Sequence, residues 1–265
     1  MTPLYDAHCH YHDARLQVHR AEFLPRLAAL GVAGAVVNGT REDDWPAVTD
    51  LCAAHTWMIP SFGLHPWFVR ERSSRWKAAL ADALAGVPRA ALGEVGLDRW
   101  IEGHDLGDQR RVLTDELALA AELNRPATIH CLRAWGALQE ILRDGPSFPR
   151  GFLLHAYGGP LELVDEFAGR GAYFSFSSYF LSGRKLEQQR VFAEIPIERL
   201  LVETDAPDLF PPPERNRNPL VDDAGATLNH PANLEVAYEG LAEIRGLPLE
   251  SLAARIAENF QRLFA

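Results

Sequence analysis

Short runs of β-branched and aliphatic residues alternate along this chain with longer stretches whose apolar positions recur every three to four residues. The first pattern is that of buried strands and the second that of amphipathic helices. Strands are expected over 3–8, 34–38, 57–63, 89–95, 126–131, 151–155, 172–177 and 199–204. Helices are expected between them over 20–30, 42–55, 74–85, 107–123, 134–143, 160–170 and 183–193, and two more near 232–245 and 249–264. Strand then helix, repeated eight times, predicts parallel strands joined by right-handed crossovers. The 265 residues also match the ~250 typical of an eight-stranded β/α barrel. The expected fold class is therefore α/β: a (β/α)8 TIM barrel, one domain over 1–265, with an extra C-terminal helix. An open doubly wound sheet is the alternative, but no Gly-x-Gly-x-x-Gly follows the first strand. Residues 206–231, rich in Pro, Asn and Arg, read as a long loop after the eighth strand, at the rim where barrels carry function.

Composition narrows the classes. With 47% hydrophobic and 23% charged residues the chain has an ordinary globular mix and can bury a core. No apolar run approaches the ~20 residues of a membrane span, so no membrane association is expected. The start, Met1-Thr2-Pro3, lacks the basic-then-apolar order of a signal peptide. Cys9, Cys52 and Cys131 form no Cys-x-x-Cys, which points to reduced thiols and a cytoplasmic location. A net charge of −10 argues against coating duplex DNA, so a nucleic-acid substrate would be gripped locally, at a strand end.

The chemistry concentrates at strand ends. Strand one closes on Asp6-Ala7-His8-Cys9-His10, where alternation puts both imidazoles on one face about 7 Å apart along the chain. Strand three leads to Gly63-Leu64-His65-Pro66-Trp67, and strand four to Gly93-Glu94-Val95-Gly96-Leu97-Asp98. Strand five ends at His130-Cys131, strand six at His155-Ala156-Tyr157, and strand eight at Glu203-Thr204-Asp205. Any one of these fits a buried His bonded to a carbonyl, or an acid capping a helix. Together His8, His10, Glu94, His130, His155 and Asp205 supply N and O ligands for one or two divalent cations. Glu94 is placed to bridge two ions, and Asp205 to bind one and orient the attacking water or carry its proton.

These segments resemble the TatD family of metal-dependent hydrolases, among the amidohydrolase-like barrels. The resemblance extends to Phe62-Gly63-Leu64-His65-Pro66, Leu201-Val202-Glu203-Thr204-Asp205-Ala206-Pro207, Asn229-His230-Pro231-Ala232-Asn233-Leu234 and the closing Glu258-Asn259-Phe260. It implies one ion on His8, His10, Glu94 and Asp205, and a second on Glu94, His130 and His155. It also implies phosphodiester hydrolysis, often of DNA from a 3′ end, with magnesium, manganese or zinc. Tyr11-His12-Asp13, Leu132-Arg133 and Ala156-Tyr157-Gly158-Gly159 depart from the usual pattern, leaving the ligands in place and altering the substrate rim.

His65, Trp67, Arg133, Tyr157 and Arg217 are the expected substrate contacts. Glu203 is expected to support the site from behind. Asp98 is expected either to orient a neighbour or to cap a turn. Cys9 and Cys131 have the wrong parity for ligands and are expected to pack. His12, His19, His55 and His104 are expected at the surface. Three readings follow: a phosphodiesterase acting on single-stranded DNA or nucleic-acid ends, a hydrolase of another ester, lactone or amide, and a non-catalytic metabolite-binding barrel. No obligate protein partner is expected.

Overall fold

The computed structural model describes residues 2–265. Eight strands lie side by side in chain order, every neighbouring pair parallel. They are β1 (Leu4–Cys9), β2 (Val32–Asn38), β3 (Met58–Phe62), β4 (Ala91–Asp98), β5 (Ala127–Leu132), β6 (Phe152–Leu154), β7 (Ala172–Ser177) and β8 (Leu200–Glu203). The helices are α1 (Ala14–Gln17), α2 (Arg20–Ala29), α3 (Trp45–Ala54), α4 (Trp76–Gly86), α5 (Leu106–Glu122), α6 (Trp135–Asp144), α7 (Val164–Gly169), α8 (Leu186–Glu194), α9 (Leu234–Arg245) and α10 (Leu249–Phe264). The strands are mostly apolar because both faces of the sheet are covered; all eight residues of β4 are buried, Glu94 and Asp98 included. Each expected strand is present within three residues of its expected bounds, the largest difference being the longer run of β4 to Asp98.

The cylinder closes between β8 and β1. The Asp205 amide donates to the His8 carbonyl (2.9 Å), and the His10 amide to the Ala206 carbonyl (2.8 Å). Asp6, fully buried, reinforces this seam. Its carboxylate accepts from the Thr204 amide (2.9 Å), the Thr204 hydroxyl (2.6 Å) and the Tyr11 hydroxyl (2.7 Å). Burial nevertheless pushes its carboxyl up to about 6. An Asp6→Ala protein would leave three buried donors unmet, so a loss of about 3–5 kcal/mol is expected from urea unfolding.

At the opposite mouth the helix ends are stapled by arginines. Arg89 donates to the Cys52 and Thr56 carbonyls at the end of α3 and just beyond it, Arg125 to Leu84 in α4, and Arg170 to Leu142 in α6. Arg150 reaches the Leu263 and Ala265 carbonyls at the end of α10, and Arg245 those of Phe192, Ala193 and Ile195 at the end of α8. The last turns of helices leave carbonyls without intrahelical partners, and a guanidinium satisfies them while favouring the negative end of the dipole. The amphipathic α10 lies against the starts of β1 and β8. Phe260 packs on Tyr5, and Asn259 donates to the Ile197 and Leu200 carbonyls. The stretch 206–231 holds more than a loop: β9 (Pro219–Val221) and β10 (Thr227–Asn229) form an antiparallel hairpin, its turn held by the Asp222 side chain.

Glu116 of α5 is buried, with one oxygen accepting from the Leu64 amide (2.8 Å) and the other unpartnered. Burial pushes its carboxyl well above the ordinary value of 4.5. A raised folded-state pKa means that stability is lost as pH rises above the unfolded value. Glu116→Gln removes this loss. Its stability in urea unfolding is expected to gain on the parent as pH goes from 5 to 8, by up to ~1.4 kcal/mol per pH unit. A gap that stays constant with pH would place the proton elsewhere.

Candidate metal centre

The ends of β1, β4, β5, β6 and β8 converge on one pocket at the upper mouth. His8, His10, Glu94, His155 and Asp205 are buried there, with His130 half-buried beside them. The glycines of the β4 motif permit this. A Cβ on Gly96 would sit 2.0 Å from the His130 carbonyl oxygen, so only glycine lets β4 run flush against β5. Asp205 and Ala156, just past β8 and β6, hold positive φ of 55° and 39°. Such backbone turns are rare for these residues and re-aim side chains at strand ends.

Four ligating atoms gather first. His8 Nε2 and His10 Nε2 are 3.2 Å apart, and each lies 3.3 Å from Glu94 Oε2 and 3.3 Å from Asp205 Oδ1. The two nitrogens with either oxygen form a near-equilateral triangle whose centre lies roughly 2 Å from its corners, close to the Zn–N and Zn–O lengths of ~2.0–2.2 Å. A second set uses the other oxygen of Glu94. Oε1 lies 3.2 Å from His130 Nδ1 and 2.9 Å from His155 Nε2, and those nitrogens are 3.1 Å apart. His65 Nε2 approaches the same oxygen at 3.4 Å.

Outer partners fix which ring nitrogens face the pocket. His10 Nδ1 donates to the Asn38 carbonyl (2.7 Å), leaving Nε2 free to ligate. His130 Nε2 meets Asp98 Oδ2 (3.1 Å), which turns Nδ1 inward. His155 Nδ1 lies 3.5 Å from Glu203 Oε1, and the other oxygen of Glu203 takes the Ser175 hydroxyl. Asp98 therefore both orients a neighbour and caps a turn, since its Oδ1 accepts from the Trp100 amide (2.6 Å). Against the effect of burial, His130 and Trp67 together hold the Asp98 carboxyl down at about 2.

Charge in the pocket also suits a cation. Burial alone would raise Glu94, but His65, His155 and His8 hold it well below the carboxylate range. Burial alone would lower His10 and His155. Asp205 and Glu94 hold the first, and Glu94 and Glu203 the second, well above 6.5. Among the described residues no Lys or Arg pairs with Glu94 or Asp205. Two buried carboxylates facing only imidazoles form a ligating set that divalent cations fit.

The expected residues do not all arrive here. Tyr157 is fully buried, its hydroxyl donating to the Pro160 carbonyl (2.8 Å) and its ring packed on Trp135 and Phe174, so it is core and not a substrate contact. Arg217 turns away to α9, pairing with Glu239 (2.5 Å), because the hairpin carries its segment outward. His12 is not a surface residue. The turn after β1 packs it beside His10, 3.6 Å from Asp44, and His19 and His55 are also half-buried. Trp67 and Arg133 are exposed at the rim, and Cys9 and Cys131 are buried. Asp6 received no role from the sequence, although its parity with His8 and His10 was the available signal.

A family model described as TatD related DNase matches residues 5–265. The chain is similar to a protein of Escherichia fergusonii named 3′-5′ ssDNA/RNA exonuclease TatD, 31% identical over 250 residues, 92% of each chain. It is similar too to the metal-dependent hydrolase YabD of Bacillus subtilis, 28% identical over 264 residues, 98% of each chain. Among solved structures, YjjV of Escherichia coli K12, a TatD homolog, superposes with a TM-score of 0.89 at 25% identity, covering 98% of this chain and 97% of that one.

Proposed function

The chain belongs to the TatD family of metal-dependent hydrolases, and on that premise we propose that it removes nucleotides from the 3′ ends of unpaired DNA or RNA strands. The observation that carries this is the division of Glu94, one oxygen in each of two adjacent sets of ligating atoms. In this reading His8, His10, Glu94 and Asp205 hold one divalent ion, and Glu94, His130 and His155 a second. Such ions polarise a phosphoryl oxygen and bring water to the edge of ionisation near neutral pH. Imidazole-rich sets take zinc readily, while carboxylates and phosphate chemistry suit magnesium or manganese.

Burial would raise the Asp205 carboxyl, but His10 and His8 outweigh it, and the group remains a carboxylate through the neutral range. It orients the attacking water and takes its proton. The water oxygen bonds to phosphorus, the bond from phosphorus to the 3′ oxygen breaks, that oxygen takes up the proton collected by Asp205 and stays on the shortened strand as a hydroxyl, and the phosphate leaves on the released nucleotide. His65, whose pKa burial lowers and whose Nδ1 accepts from the Trp67 amide, donates a hydrogen bond from Nε2 to a phosphoryl oxygen. Residues 1–265 act as one domain, and the three buried free thiols suit the cytoplasm.

The test is a single-stranded oligonucleotide labelled at its 3′ end and incubated with chelated and with metal-reloaded protein. Release of labelled mononucleotide only after reloading is expected. Turnover of carboxylic esters or lactones without nucleotide release would replace this reading by that of a different hydrolase. Because the ion-free site keeps protons on His10 and His155, ion uptake is expected to release protons and to weaken as pH falls. Calorimetric titration in two buffers of different ionisation enthalpy measures this.

A further inference from the structure

Of the six tryptophans only Trp67 and Trp100 are exposed, at 49% and 61%. They follow β3 and β4, and both are tied to one carboxylate. Trp67 Nε1 donates to Asp98 Oδ2 (2.7 Å), and the Trp100 amide donates to Asp98 Oδ1 (2.6 Å). Asp98 Oδ2 also holds His130, so the Trp67 indole and the Trp100 backbone stand one carboxylate away from the metal centre. Arg133, just past β5 with a φ of 58°, lays its guanidinium 4.1 Å from the centroid of the Trp100 ring. Its charge rests on an aromatic face, and most of the indole stays open to solvent.

Neither indole enters the core, so apolar burial does not account for two large aromatics at this rim. Their value lies in what they offer an incoming strand. We propose that Trp67 and Trp100, with Arg133 stacked on the latter, are a platform for the unpaired bases next to the scissile phosphate. The proposal rests on the phosphodiesterase reading and adds a subsite to it. Aromatic faces take any base by stacking, and an adjacent guanidinium adds attraction for the strand's phosphates. This local cation sits in a chain of net charge −10, so the grip is confined to the strand end. Bases within a duplex have both faces covered and cannot use the platform, which makes it a selector for single strands.

The experiment compares metal-loaded parent, Trp100→Ala, Trp100→Phe and Arg133→Ala proteins on an oligothymidylate and on one whose last three residues carry tetrahydrofuran in place of the base. For Trp100→Ala, KM on the oligothymidylate is expected to rise about 10- to 100-fold with kcat within about twofold, and Trp100→Phe to recover most of the loss. Arg133→Ala is expected to raise KM less. The baseless oligonucleotide should show a high KM with the parent, unchanged by substitution at Trp100. Quenching of tryptophan fluorescence on mixing should accompany the oligothymidylate and be smaller for Trp100→Ala. If Trp100→Ala keeps the parent's KM and its preference for bases, the platform is wrong while the nuclease reading stands. If the parent cleaves neither oligonucleotide, both fall.

Discussion

An Asp205→Asn protein is expected to fold with close to parental stability and to turn over substrate about 10³- to 10⁴-fold more slowly, the loss appearing in kcat. Asparagine suits the backbone: the residue sits at a φ of 55°, a left-handed turn that Asn adopts more readily than most residues. The amide of residue 205 still donates to the His8 carbonyl, so the seam between β8 and β1 is kept. What disappears is the negative charge 3.3 Å from His8 Nε2 and His10 Nε2, and with it the acceptor for the proton of water. Steady-state kinetics on a 3′-labelled single strand, alongside a melting curve and metal content, separates these effects. Parental kcat in a fully metallated Asp205→Asn protein would remove Asp205 from the mechanism.

Glu94→Gln is expected to be more damaging, with kcat down by at least about 10⁴-fold and the ion content of the purified protein reduced. One carboxylate serves both sets, through Oε2 toward His8 and His10 and through Oε1 toward His130 and His155. An amide keeps the shape but offers one ligating oxygen and no charge, so the two halves of the pocket can no longer share it. The ion-free protein gives a separate readout. Glu94 helps hold His10, His130 and His155 above 6.5, and without it their burial dominates. Their ring protons should titrate at lower pH by NMR in Glu94→Gln than in the parent. Unchanged titration together with full metal loading would show that Glu94 does not join the two sets.

The barrel was legible because each strand is a hydrophobic run too short for a helix and each helix carries its own 3.6-residue stripe. Strand ends that fall at one mouth also let His8, Glu94, His130, His155 and Asp205 be grouped from positions scattered over the chain. Parity served Glu203 well in one respect, since it faces inward with Oε1 3.5 Å from His155 Nδ1. Where the chain leaves its strands, parity lost its force. Tyr157 follows Ala156, whose φ of 39° folds the chain back and drives the phenol into the core. The hairpin at 219–229 has strands of three residues, below any detectable period, and its presence is what carries Arg217 to α9. His12 lies one turn past β1, where only tertiary packing decides that it meets Asp44. Trp100 sits in no expected element, and its value emerges only once Asp98 is seen to tether it.

The arginine staples of the lower mouth divide labour within the molecule. Their acceptors are neutral carbonyls beneath the cylinder, remote from the pocket where chemistry is proposed. Loops at the top are therefore free to diverge in length and character without loosening what keeps the scaffold upright. A protein built this way is a suitable chassis for grafting: exchanging the rim segments should retune which molecules are accepted while the melting behaviour stays with the base.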